Sequence, residues 1–388
     1  MKSLVDVVNL NADASCLSSA WWLEILQGGK GSYFCQWLSS YLQHNKKVSL
    51  GITGATVSDI ASFNPEAIEL INQNRGVFEI LLRPYSHDIG LLRNRAGFEK
   101  NLDVGKKVLT KEFGSFTNYF LPPEFMLTNE QLFGLAQSNV EGTFINPVRF
   151  KHEIKLRLPA KPYLIRGLFG AEIKCIPFHE LLTNAYLDSI HLFDSRPWNR
   201  VIEKSEEGHL YSWRDGESSF FLPDGNTRES TWLKKESKKI GRLFLSESVL
   251  QTTFLVNSGL IERQYHNYPV HSFTAWVKEF RMIGFINKIE KIENNLASLS
   301  PKQISLWLQV INSDILSAIE KDSPVVTIKL EERSTRRTKH VIWRSERGME
   351  GEEILFMLEN SSADYWKKSK SPHARKLTKR LEYIESLY

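Results

Sequence analysis

The fold class that the sequence predicts is α/β, a parallel (β/α)7 barrel followed by a C-terminal helical domain and a small β-hairpin with a basic tail. Three observations predict it. Up to about residue 215, short β-branched or apolar runs alternate with segments of helical period, the pattern of parallel strands joined by crossover helices. The strand-like runs number seven. From residue 247 to 322 the alternation gives way to helical periodicity alone. The expected division is a barrel over 1–245, a helical bundle over 246–322, and a hairpin with a basic helix over 323–388.

The first run is Leu4–Leu10, followed by Tyr33, Phe34, Trp37, Leu38, Tyr41 and Leu42 at helical spacing, then by Val48–Thr53. The next helix opens at Asn64, whose side chain can accept a free backbone N–H, with Pro65 in the first turn, where the missing proline N–H is not needed. Val77–Leu82 is the third run. A helix from Gly97 to Phe113 buries Phe98, Leu102, Leu109 and Phe113, and Gly114 is placed for a left-handed cap. Asn118–Leu121 is the fourth strand, Thr128 and Gln131 make a capping-box pair, and Gly142–Ile145 is the fifth strand. The sixth lies between Tyr163 and Phe178 as one interrupted strand or a hairpin around Gly167 and Gly170, and the seventh is His209–Trp213. Ser300, Pro301 and Gln303 start a helix carrying Ile304, Leu306, Trp307 and Val310. Val325–Leu330 and Lys339–Trp343 flank a charged turn and predict a hairpin. The basic tail from Trp366 to Arg380 reads as a solvated helix face.

Composition narrows the partners. The 388 residues hold 50 basic and 45 acidic side chains, a net +5, which does not give the concentrated positive charge of a nucleic-acid binder. Cys16, Cys35 and Cys175 are odd in number and widely spaced, so they form neither a disulfide framework nor a CxxC metal site, and no cofactor is indicated. The segment MKSLVDVVNLNAD carries too little apolar length for a signal peptide, and no stretch approaches the roughly 20 apolar residues of a membrane span. A cytoplasmic protein without a membrane partner is the expectation. Ten tryptophans suit either a core or a cleft for sugar rings.

In a parallel barrel the loops after the strands converge on one end, so polar residues just past each run are the candidates. They are Asn11 and Asp13, then Arg83, Tyr85, His87 and Asp88, then Glu124, Asn146, and finally Asp215 and Glu217, with Trp213 just before them. Glu124 follows Pro122 and Pro123 and is flanked by Leu121, Phe125 and Met126, so a stiff backbone holds one carboxylate in apolar company. Asp215 and Glu217 flank Gly216 between aromatic residues. Two acidic groups from different strands are what glycosidic bond cleavage requires, one to protonate the departing oxygen and one to attack the anomeric carbon or activate water.

At these residues the chain resembles glycoside hydrolase family 57. The segment VFEILLRPYSHDIGLL (Val77–Leu92) is similar to the family's strand glutamate and histidine loop, which implies roles for Glu79 and His87. EFGSFTNYFLPPEF resembles the motif ending in the nucleophilic glutamate, which maps to Glu124. WRDGESSFFLPDG resembles the motif whose aspartate is the general acid/base, which maps to Asp215. LWLQVINSDI resembles the family's serine-aspartate helix at Ser313 and Asp314. The resemblance implies an α-glucan-active enzyme on a (β/α)7 barrel, using a retaining mechanism with Glu124 and Asp215 as catalytic residues. Substrate contacts would come from Asn11, Asp13, Glu79, Tyr85, His87, Asn146, Trp213 and Glu217, without a metal. Two departures stand out. Where the family carries a His-Gln-Pro type motif after the first strand, this chain reads Asn9-Leu10-Asn11-Ala12-Asp13, and Phe120 and Leu121 stand where the family has tryptophan. A non-catalytic glycan-binding protein on the same barrel is therefore the alternative, ahead of a metal-dependent polysaccharide deacetylase using Asp13 and His87.

Overall fold

The structure is a computed structural model that describes residues 2–11, 19–145, 148–151, 154–157, 162–166, 172–206, 208–222, 224–236, 240–252, 255–257, 280–313, 327–331, 338–342, 354–355 and 371–388. Strand β1 (Ser3–Leu10) is followed by helices α1 (Ser19–Leu26) and α2 (Tyr33–Gln43), then β2 (Val48–Ile52), α3 (Gly54–Phe63), α4 (Pro65–Gln73) and β3 (Phe78–Leu82). Next come α5 (Arg95–Phe113), β4 (Thr117–Phe120), α6 (Asn129–Gln137) and β5 (Gly142–Ile145). Two antiparallel pairs follow, β6 (Val148–Lys151) with β7 (Ile154–Arg157), and β8 (Tyr163–Arg166) with β9 (Glu172–Pro177). The chain continues through α7 (Glu180–Leu192), α8 (Arg196–Lys204), β10 (His209–Asp215), α9 (Gly225–Lys235), β11 (Gly241–Arg242), α10 (Leu245–Leu250) and β12 (Leu255–Asn257). Helices α11 (Phe280–Glu293) and α12 (Pro301–Val310), the hairpin β13 (Thr327–Glu331) and β14 (Thr338–Ile342), and α13 (Pro372–Glu385) complete it.

Seven strands run parallel in the order β10-β1-β2-β3-β4-β5-β9. From β1 to β5 each successive pair is joined by helices, as a parallel connection requires, the β5-to-β9 passage contains the short antiparallel strands, and α7 and α8 lead from β9 to β10. The sixth strand is thus a hairpin whose second arm, β9, joins the parallel ladder. Just beyond β9 the His179 N–H donates to the Tyr211 carbonyl of β10 at 2.8 Å.

Alternation along the strands sorts two cores. Val5, Val7, Leu81, Tyr119, Leu121, Phe144, Ile176 and Tyr211 form one cluster on the inner face, drawing on both ends of the ladder. Leu4, Val8, Leu10, Leu50, Ile52, Ile80, Leu82 and Cys175 belong to the larger cluster shared with the helices. Trp22, Trp37, Trp198, Trp232 and Trp307 are fully buried, so these five serve packing rather than a cleft.

The caps follow their residues with one difference. Thr128 with Gln131 and Ser300 with Gln303 close capping boxes, and Gly114 adopts φ 70° at the end of α5. Asn64 instead turns its side chain away from α4 and donates to the Leu26 carbonyl at 3.0 Å and Ser32 Oγ at 2.7 Å, because the end of α1 and the start of α2 offer it acceptors. The basic tail also differs from the expected solvated face. Helix α13 buries Ala374, Lys376, Leu377, Arg380 and Ile384, and the Arg380 guanidinium grips Asp59 of α3 at 2.5 and 2.7 Å. Aliphatic stems and a buried counter-ion let basic residues line a docked face. Among the described residues no helix is long and apolar enough to cross a membrane.

Candidate active site

At the C-terminal ends of β1 and β10 the register sets Asn9 opposite Asp215. Asn9 shares the inward side with Val5 and Val7, and its Nδ2 donates to Asp215 Oδ1 at 2.8 Å. One turn on, the Asn11 N–H donates to the Glu217 carboxylate. A Cβ at Gly216, between the two acids, would lie 2.7 Å from Leu10 and 2.8 Å from Val8, so only glycine lets the turn sit this close to β1. Burial pushes the Asp215 carboxyl above its ordinary range, while Asn9 and Arg83 pull it back. Glu217, 2 % exposed, is pushed well above its range by burial and then by Asp215.

The second carboxylate arrives from β4. After Pro122 and Pro123, Glu124 adopts φ 51° and ψ 9°, and Phe125 follows at φ 52°. Two consecutive left-handed residues, neither of them glycine, carry strain of about 1–3 kcal/mol each, a condition that clusters at functional sites. The Phe125 ring meets the Trp213 ring edge-on at 5.2 Å and the Phe178 ring at 5.1 Å. The segment bearing Glu124 therefore packs directly on the strand end that bears Asp215. Glu124 keeps 16 % side-chain exposure, and His87 Nδ1 stands 3.8 Å from its Oε1.

Arg83 joins these groups. It follows Glu79 and Leu81 on the inward side of β3, is completely buried, and donates from Nη1 to the Leu121 carbonyl at 2.6 Å. Burial pushes its guanidinium down to about 9, against the pull of Glu217, Glu124 and Asp215 together.

His87 is tied to the C-terminal helices. Its Nδ1 is hydrogen-bonded to Ser313 Oγ at 3.1 Å, the Ser313 N–H donates to the His87 carbonyl at 2.8 Å, and Asp88 bridges to Asn312. Behind them Arg93 pairs with Asp88 at 3.2 Å and with Glu293 of α11, all three buried. Burial, together with Glu293 competing for the same guanidinium, raises Asp88 to about 7.

Two candidates lie away from this cluster. Glu79 is near the start of β3, at the opposite end of the sheet, where it accepts from Ser49 Oγ at 2.6 Å and from the Leu245 N–H at 2.9 Å, capping α10. Tyr85 is buried under α3, its hydroxyl 3.4 Å from both Ser58 Oγ and Gln309 Nε2. Both placements have a simple cause: Glu79 is inward-facing but three residues before the strand end, and the chain turns outward at Pro84. Asp13 and Asn146 lie outside the described residues. Asn9 and the full role of Arg83 escape a search confined to residues past the strands. Period-two alternation with Val5 and Val7, and with Glu79 and Leu81, is the signal that finds them.

Residues 5–176 match the model of glycosyl hydrolase family 57. The chain is family 57-like. The match covers Glu124 and His87 but ends before Asp215, and it spans under half of the sequence. No curated protein matches the chain. Among solved structures, the family 57-like chain is similar to a GH57-type branching enzyme from the archaeon Pyrococcus horikoshii, with 12 % identity, TM-score 0.65, and coverage of 100 % of this chain and 95 % of that one. It is similar to the α-amylase AmyC from Thermotoga maritima at 10 % identity and TM-score 0.59, covering 100 % and 97 %. A 4-α-glucanotransferase from Thermococcus litoralis matches at 13 % identity and TM-score 0.59, over 87 % of this chain and 62 % of that one. This chain thus spans under two thirds of the glucanotransferase. At these identities the likeness is one of fold.

Proposed function

We propose that this family 57-like chain cleaves or transfers α-glycosidic linkages of an α-glucan by a retaining mechanism, with Glu124 as nucleophile and Asp215 as general acid/base. The observation that carries it is the 5.2 Å contact between the Phe125 and Trp213 rings, which brings the segment bearing Glu124 onto the strand end bearing Asp215. The amylase and glucanotransferase named above act on α-glucans, which supplies the substrate class.

Each group has a role that its surroundings suit. Glu124 attacks the anomeric carbon; its strained, proline-led backbone fixes the carboxylate before substrate arrives. Asp215, its pKa raised by burial, holds a proton for the departing oxygen, and Asn9 anchors Oδ1 so that Oδ2 carries that proton. Once the glycosyl–Glu124 ester has formed, Asp215 deprotonates water or an acceptor hydroxyl. Trp213, partly exposed at the strand end, offers a face to a sugar ring. His87, held by Ser313, stands beside the nucleophile to donate to a substrate hydroxyl or to Glu124 itself. No cofactor enters these steps.

The test is a mass-spectrometric product screen over α-linked oligosaccharides and activated α-glycosides, comparing wild type with Glu124→Ala and Asp215→Ala. Wild type is expected to shorten or lengthen chains, and both variants to lose the products of unactivated substrates. Products that persist in either variant would sink the two-carboxylate assignment. Thermal protection by glycans without turnover would favour the binding-protein alternative.

A further inference from the structure

The least conventional group in the centre is Arg83. It is 0 % exposed, and among the described residues only its Nη1 is satisfied, by the Leu121 carbonyl, while Nε and Nη2 have no hydrogen-bond partner. A buried guanidinium ordinarily lies in a direct ion pair, as Arg214, Arg93 and Arg380 do in this protein. Among the described residues Arg83 forms none, although Glu124, Asp215 and Glu217 all act on it through space. The fold is shaped to hold it there. Gly51 on β2 faces it, and a Cβ at that position would meet Leu121 and come within 3.5 Å of Arg83 Cδ. Gly105 brings α5 so close that a Cβ would collide with the Arg83 carbonyl and lie 2.7 Å from the Pro84 carbonyl carbon. The carbonyl that Arg83 grips is three residues before Glu124, so one side chain addresses both the charge and the backbone of that segment.

We propose that Arg83 is the electrostatic positioning residue of the carboxylate cluster, a built-in cation that keeps Glu124 negatively charged while Asp215 carries the proton. The proposal rests on the roles given to Glu124 and Asp215 above. Three carboxyls gathered in a partly dry site would otherwise each favour the protonated form, and a protonated Glu124 cannot attack. A cation that acts through space lowers the cost of charge on all three without tying up any one of them. Because its side chain is completely buried, it acts on substrate only through the carboxyls.

The experiment is a 13C titration of the side-chain carboxyls of Asp- and Glu-labelled protein, with the resonances assigned through Glu124→Gln and Asp215→Asn. It is run on wild type, Arg83→Gln, Arg83→Met and Arg83→Lys, each checked for a native near-UV spectrum. Glutamine keeps a donor for the Leu121 carbonyl and removes the charge, methionine removes both, and lysine keeps the charge. Glu124 and Asp215 are expected to titrate about one pH unit or more higher in the glutamine and methionine variants, and near their wild-type positions in the lysine variant. The acidic limb of the kcat/KM profile should rise with them, with kcat falling more than KM changes. Unmoved titrations in Arg83→Gln would overturn the proposal, and a shift confined to Arg83→Met would reduce Arg83 to a backbone anchor. Since the titration needs no turnover, a shift in a protein that processes no glycan would support Arg83 and reject the retaining mechanism. The reverse result would do the opposite.

Discussion

Glu124→Gly is expected to lose turnover of unactivated glucans by roughly 10⁴-fold or more in kcat, the scale of removing a covalent nucleophile, and at the same time to fold more stably than wild type. The left-handed backbone at Glu124 costs an L-residue about 1–2 kcal/mol that glycine does not bear. Glycine's freedom in the unfolded chain returns about 0.4–1 kcal/mol of that, so the net gain is about 1 kcal/mol. Urea unfolding of wild type, Glu124→Gly and Glu124→Ala checks it: only the glycine variant should gain, while both lose activity. A stabilised inactive variant is the signature of strain kept for function. A glycine variant that is active, or less stable than the alanine variant, would separate the strain from any catalytic role.

Arg214→Met is expected to cost about 3–5 kcal/mol, the penalty for leaving a buried carboxylate without its cation. Arg214 precedes Asp215 and faces the helices, where Nε and Nη2 each donate to Asp6 at 3.1 Å and Nη1 pairs with Glu229 at 3.1 Å. Tyr41 and Tyr186 donate to the same Glu229 at 2.6 and 2.7 Å, and Arg242 supplies a second cation to Asp6 at 2.9 Å. The uncompensated group in the variant is therefore Glu229, and adding Glu229→Gln should recover part of the loss. The same network predicts a pH dependence. Although burial opposes it, Arg214 and Arg242 bring the Asp6 carboxyl down to about 2. Its folded pKa lies below the unfolded value of about 4, so its contribution of about 2 kcal/mol is complete above pH 4 and is lost as pH falls toward 2. An Arg214→Met protein with an unchanged urea midpoint at pH 7 would show that the network carries no net stability.

The parallel ladder was legible because its strands are buried on both faces and read as short apolar runs broken by helical segments, as Val48–Ile52 and Phe78–Leu82 do. The sixth strand was ambiguous for a physical reason: β8 and β9 are both short, and only their antiparallel pairing makes β9 the member that joins β5. Single-sequence periodicity also cannot say which basic helix is docked. Arg380 and Lys376 look solvent-directed until Asp59, more than 300 residues away, is seen to be buried under them. In the candidate site, the segments at Glu124 and Asp215 announce themselves by prolines, glycine and aromatic neighbours. Glu79 was named only because its segment resembles the family's strand glutamate, and its height along the strand places it at the other end of the sheet. Asn9 was masked for the opposite reason: it reads as an interruption of a strand until the inward side is identified, whereas Arg83, just past its strand, was among the candidates without its central place being visible. The dependence of His87 on Ser313 spans over 200 residues and has no local signal at all.

The central claim is a covalent glycosyl intermediate on Glu124 released by Asp215. The direct measurement is intact-protein mass spectrometry followed by peptide mapping of the Asp215→Ala protein incubated with an α-glycosyl fluoride, whose leaving group needs no acid. The account predicts accumulation of a one-sugar adduct on Glu124, absent from Glu124→Gln/Asp215→Ala. An adduct on another residue, or none while the wild-type protein consumes the same fluoride, would contradict it.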